Sequence, residues 1–195
     1  MPWIQTYTGR VFDYDDLEKY FSDPQACLTD ICQSLSLINR YLGHTKFPYS
    51  VAHHSLNLAK YVPGHETYAL LHDCCEAYLC DFPAPIKTHL TPEYKELEER
   101  INRAIYKCFN IPYPTESIHG LINNYDLMIR RVERKYLMEV APIPWTEDFI
   151  PYETLRYITI ASTDWEIIRY LFWREITKYV GAMPYPWPEP SIFSF

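Results

Sequence analysis

His72-Asp73 stands inside Tyr68-Ala-Leu-Leu-His-Asp-Cys-Cys-Glu-Ala-Tyr78, an otherwise apolar stretch of helical character. An imidazole beside a carboxylate in a buried segment is costly to desolvate unless something pairs both. The doublet therefore restricts the chain to folds that bring a compensating partner to it, and a divalent cation is such a partner. Glu76 lies four residues past His72, and positions i, i+1 and i+4 of a helix are neighbours on one face. The plain alternative is a surface His-Asp couple worth under about 1 kcal/mol.

Two further residues extend the set. In Tyr49-Ser-Val-Ala-His-His-Ser55, His54 follows Val51 by three and precedes Leu58 by four, which puts it on the core-facing stripe. His53 is turned about 100° from it, toward a boundary or solvent position. Asp126 shares a helical face with Ile122 and Ile129, so its carboxylate points inward; otherwise it would be a buried acid paired with Arg130 or Arg131. His54, His72, Asp73 and Asp126 together form a mixed nitrogen-oxygen donor set. Such a set suits one divalent transition metal (Zn, Mn, Co, Fe or Ni) better than Ca or Mg. Water on such an ion has a lowered pKa and becomes a nucleophile near neutral pH.

Helix-compatible segments dominate, and only five residues are glycine. Residues 1–16 read as an extended lead-in with a short strand pair. Helices are expected over 25–42, 51–62 (capped by Ser50), 66–79, 92–108 (opened by Thr91-Pro92), 118–140 and, after Ser162 or Thr163, to Val180. Pro83 and Pro85 exclude regular helix from 81–85, and 142–151 reads as a Pro/Trp loop. No repeat and no linker stands out. The expected architecture is all-α: one domain over 1–182 and a Pro/aromatic tail over 183–195, draped over the domain or used in subunit contacts.

Bulk properties narrow the function. Hydrophobic residues make up 48% and charged residues 22%, enough to form a core. A formal net charge of -7 disfavours polymeric nucleic acid, which needs a basic surface. It leaves room for a small nucleotide held by a local cluster of cations. No apolar run approaches the roughly 20 residues that span a bilayer, and no leader pattern opens the chain, so a cytoplasmic protein is expected. The six cysteines lack disulfide or CxxC spacing and read as reduced thiols, with Cys74, Cys75 and Cys80 near the proposed centre.

The elements Tyr49-Ser-Val-Ala-His-His-Ser55, Leu70-Leu-His-Asp-Cys-Cys-Glu-Ala-Tyr-Leu-Cys-Asp-Phe-Pro-Ala-Pro-Ile-Lys87 and Asp126 resemble the HD-domain phosphohydrolase superfamily. The resemblance is to the branch of bacterial 5'-deoxynucleotidases and phage dATP triphosphohydrolases, and it covers about residues 3 to 140. Ile4 to Asp13 and Tyr41-Leu-Gly-His-Thr45 are similar to phage-type members. The resemblance implies a helical bundle with the metal in its core, held by His54, His72, Asp73 and Asp126. It implies that Glu76 and Asp81 handle the attacking water and leaving group, and that Lys87 lies near the substrate phosphate. His44 and Lys46 are further candidates to neutralise phosphate. His53 stands where the family has Gln, and Lys46-Phe47 where an Arg-rich segment is common. The implied activity is hydrolysis of a deoxynucleotide, foremost a dNTP of the dATP type, with a dNMP as the alternative. A cyclic or alarmone nucleotide would use the same metal set. A second divalent ion would arrive with the substrate, and relatives are commonly homo-oligomers. A reading of another class is a metal-bound, non-catalytic nucleotide-binding module.

Overall fold

In the computed structural model, residues 2–145, 155, 158–188 and 190 are described. Strands β1 (Trp3–Gln5) and β2 (Val11–Asp13) pair antiparallel with Ile4 opposite Phe12, the strand pair expected of the lead-in. Everything after them is helix and connection, so the protein is predominantly helical. Short α1 (Leu17–Tyr20) is followed by α2 (Pro24–Leu37), whose Asp23 side chain accepts from Ala26 N while Pro24 takes the first turn.

Helix α2 ends five residues before the expected Leu42. Asn39 instead bridges to Ser50, Arg40 N donates to Tyr49 O at 2.9 Å, and Val51 N donates to Ile38 O at 3.0 Å. Pairing with the approach to the next helix outcompetes further winding. Tyr41 and Leu42 then adopt left-handed φ of 56° and 53°, a strain of about 1–3 kcal/mol per residue. The Tyr41 hydroxyl donates to Glu133 Oε2 at 2.9 Å, which helps to offset it.

Helix α3 (Val51–Ala59) starts at Ser50, whose hydroxyl accepts from His53 N as expected. It runs through the middle of the fold, against α2, α4 (Glu66–Leu71), α8 (Glu116–Leu137) and α9 (Trp165–Val180). Every residue from Val51 to Leu58 is buried, including His53. The expectation that His53 faces a boundary is thus corrected: a helix packed on all sides has no solvent face.

The single helix expected over 66–79 is split into α4 and α5 (Glu76–Leu79). Between them the backbone tightens to three-residue steps, Cys74 N to Leu71 O at 3.1 Å and Glu76 N to Asp73 O at 3.0 Å. The His72 ring explains part of this, because its Nδ1 donates to the Ala69 carbonyl at 2.7 Å and competes with the helical ladder. Pro85 proves compatible with a one-turn helix, α6 (Ala84–Lys87), because it occupies the first turn, where no donor is needed. Helix α7 (Pro92–Cys108) matches the expected span. Helix α8 starts two residues early behind Thr115, and α9 is capped by Asp164 rather than Ser162 or Thr163.

The main core joins α2, α3, α4, α7 and α9 through side chains such as Leu28, Ile31, Leu70, Ile101 and Phe172. A second cluster, with Leu58, Val62, Ile122 and Ile129, fastens α8 to α3. Trp187 packs edge-on against Trp173 at 5.6 Å and beneath Arg169 at 4.3 Å, so the start of the tail drapes over α9. The end of that tail and most of the 142–151 loop lie outside the described residues. Among the described residues no helix is long and apolar enough to cross a membrane.

Candidate metal centre

Three buried or half-buried ligand atoms converge where α3, the α4–α5 break and α8 meet. One ligand atom each of His54, His72 and Asp126 lies within 4.8 Å of the other two. His54 Nδ1 sits 2.7 Å from Glu133 Oε1, and because a carboxylate only accepts, Nδ1 carries the proton. His72 Nδ1 donates to the Ala69 carbonyl by the same logic. Both imidazoles therefore turn Nε2 toward the shared point, the orientation that outer partners impose on metal-binding histidines. His54 Nε2, His72 Nε2 and Asp126 Oδ1 are all buried without a hydrogen-bond partner. Unsatisfied polar atoms of this kind are costly, and a divalent ion would satisfy the three together.

The electrostatics agree with the geometry. Burial and Arg40 oppose a charged His54, yet Glu133 and Asp126 outweigh them and hold its pKa up at about 9. The carboxylates thus call for a cation at Nε2, either a proton or a metal. Burial disfavours the ionised forms of Asp73, Asp126 and Glu133, but nearby cations prevail and keep all three below the usual carboxylate range. The main ones are His72 for Asp73, and His54 for Asp126 and Glu133. Asp73 lies just outside the triad: its Oδ2 is 2.9 Å from His72 Nε2, 4.0 Å from His54 Nε2 and 3.5 Å from Arg40 Nη1.

Two cavities open on this centre. The first, about 240 Å³, is lined by Asp73 and Asp126 together with Glu76, Asp81, Lys87 and Arg40. Glu76 is 4% exposed, and its Oε2 has no partner. Burial, reinforced by Asp73 and Asp81, pushes its pKa well above the carboxylate norm. Asp81 is also raised by burial, with Arg40 opposing and Asp73 adding. Lys87 is held protonated despite burial by its 3.0 Å contact with Glu98. The expectation that Glu76 converges with His72 and Asp73 on one point changes in detail. Glu76 opens on this cavity beside the triad rather than belonging to it, because the tightened turn shifts it off regular helical spacing.

His44 and Lys46 are not brought to this cavity. They line a separate groove of about 1070 Å³ that meets it at Arg134 and Trp145, and Lys46 Nζ lies 3.3 Å from Glu139. Cys74 and Cys75 are buried with pKa values raised by burial, and among the described residues no thiol joins the ligand group. The second cavity, about 220 Å³, is lined by His72, Asp73 and Asp126 on one side and by tyrosines and amides on the other.

Sequence reading missed Arg40 and Glu133. Arg40 is buried and reaches three carboxylates, Glu133 at 3.3 Å, Asp73 at 3.5 Å and Asp126 at 3.9 Å. It was hidden because the helix was expected to continue past it. Glu133 had a usable signal: it lies seven residues past Asp126, two turns along the same face of α8.

With the site in place, similarity to known proteins sets its lineage. No protein-family model matches the chain. The uncharacterized protein YfdR of Escherichia coli K12 is 38% identical over 138 residues, covering 70% of this chain and 73% of YfdR. This chain belongs to the YfdR family. The uncharacterized protein RCAP_rcc00048 of Rhodobacter capsulatus is 35% identical over 120 residues, 56% of this chain and 59% of that protein.

Proposed function

We propose that this YfdR-family chain is a metal-dependent phosphohydrolase of the HD type acting on deoxynucleotides, with a dNTP of the dATP kind as the leading substrate. The observation that carries the proposal is the trio of buried, unpartnered atoms, His54 Nε2, His72 Nε2 and Asp126 Oδ1, beside an acid-and-lysine cavity. His54, His72 and Asp126 would hold the ion, with Asp73 adjacent to complete the set. A divalent transition metal there supplies Lewis acidity and a water of lowered pKa. Glu76, buried at the cavity wall with a raised pKa, orients that water and takes up its proton. Asp81 serves the leaving-group oxygen, and Lys87 neutralises phosphate charge. Arg40 and Glu133 are positioning residues: Arg40 holds the carboxylates apart, and Glu133 fixes the His54 tautomer.

The test is phosphate release by the purified protein with Mn, Co or Zn, against dNMPs, NMPs, dNTPs and NTPs, with products resolved by chromatography. Turnover of one dNTP supports the proposal as stated. Turnover of monophosphates alone makes it a 5'-deoxynucleotidase. Silence across the panel with metal demonstrably bound rejects hydrolysis of these substrates and leaves a nucleotide-binding module.

A further inference from the structure

The second cavity is built differently from the first. Among the described residues no lysine or arginine lines it. Its far wall is aromatic: Tyr68 and Tyr106 lie nearly parallel with centroids 6.1 Å apart, and Tyr113 meets Tyr106 edge-on at 5.2 Å. His119 closes the series against Tyr113 at 5.6 Å. Asn102, from the middle of α7, also lines this space, and its Oδ1 is buried with no donor in reach. A buried acceptor without a donor is unfavourable in the unliganded protein and becomes satisfied when a ligand brings an N–H or O–H. A flat aromatic wall with one stranded amide acceptor is the chemistry that receives a nucleobase, by ring stacking and one edge hydrogen bond.

We propose that this cavity is the nucleobase subsite, and that Asn102 Oδ1 accepts from an exocyclic amine, so the site prefers amino-bearing bases over their oxo counterparts. The inference rests on the phosphohydrolase reading for the placing of the phosphate. Asp73 and Asp126 line both cavities, so the base would lie on one side of the metal centre and the phosphate charge on the side of Lys87. Rejection of an analogue that leaves a buried polar group unpaired is the strongest discrimination a small pocket offers.

The test is calorimetric binding of deoxyadenosine and deoxyinosine to the full chain with Mn²⁺ present; the two differ by an amine against an oxo group. Deoxyadenosine is expected to bind about tenfold more tightly, a difference of about 1.4 kcal/mol. Asn102→Leu should erase the preference by weakening deoxyadenosine alone, with an unchanged melting temperature. Asn102→Asp, which keeps an acceptor, should retain the preference, and Lys87→Ala should leave nucleoside affinity unaltered. Absence of nucleoside binding, or equal discrimination in Asn102→Leu, overturns the proposal. Phosphate release measured on the same preparations separates the two readings. Asn102-dependent binding without turnover keeps the pocket and rejects the hydrolase, while turnover whose base preference ignores Asn102 does the reverse.

Discussion

Asp73 and Asp126 form a wall shared by two cavities of nearly equal volume, about 240 and 220 Å³. On the Glu76 side the lining is ionic, with Arg40, Lys87, Glu76 and Asp81. On the Asn102 side it is aromatic and neutral apart from the shared wall and the imidazoles. The contrast follows from what each element brings. The Pro-rich segment after the α4–α5 break places short polar side chains at the rim, whereas α7 and the turn into α8 contribute tyrosines from an amphipathic face. Charge chemistry and shape recognition are thus kept on opposite sides of one centre. Anions are neutralised where cations gather, and a planar apolar group is bound where none compete for it.

The comparison can be broken at the centre itself, where the largest effect is expected. Replacing Asp126 or His54 by Ala should abolish both metal binding and turnover, read by elemental analysis and phosphate release; a variant that keeps full metal content would remove the shared wall from the argument. Next comes Glu76→Ala, which should retain the metal yet lose turnover by about 10²–10⁴-fold. Near-normal turnover in that variant would strip the ionic cavity of its base. The raised Glu76 pKa adds a sign to this: activity should fall as pH drops and the carboxylate gains its proton.

A smaller effect lies one shell out. Glu133→Gln keeps the shape but removes the charge that fixes His54, and should weaken metal affinity about 10–100-fold, as outer partners of histidine ligands do. Unaltered affinity would show that the 2.7 Å contact is only structural. The same pair predicts a pH dependence. In the metal-free protein the folded-state pKa of His54 is raised to about 9, above its unfolded 6.5. Its contribution to stability is complete below pH 6.5 and lost as pH rises through 9. Metal must displace that proton, so apparent affinity should climb about tenfold per pH unit from 7 toward 9, which metal titration at several pH values would read. A flat profile would mean that His54 is already neutral. The smallest expected change is Lys87→Ala, a KM increase of about tenfold with little change in kcat, because a half-exposed ammonium is partly screened; a kcat loss instead would place Lys87 in the chemistry.

His54, His72 and Asp126 were legible because each carries its own evidence: a polar residue on an apolar helical stripe must find a partner inside. Asp73 was legible as a neighbour of His72, though the structure sets it slightly apart from the triad. The Ser50 and Thr91 caps and the strand pair were legible for the same reason, being set by residues within a few positions of one another. Arg40 was not, because its position depends on a bridge between Asn39 and Ser50 that no local rule contains. The break at His72–Cys75 was likewise invisible, since it arises from a side chain competing with the helix that carries it. His44 and Lys46 had the right charge and the wrong location, for charge is written in the sequence while the cavity it faces is not. The sequence by itself determined the helical content and the metal donors, through periodicity and the cost of burying unpaired polar atoms. Only the tertiary structure decided which groups share a wall, how Arg40 and Glu133 frame the donors, and that the centre faces two cavities of opposite character. Those relations join residues far apart in the chain, and packing alone brings them together.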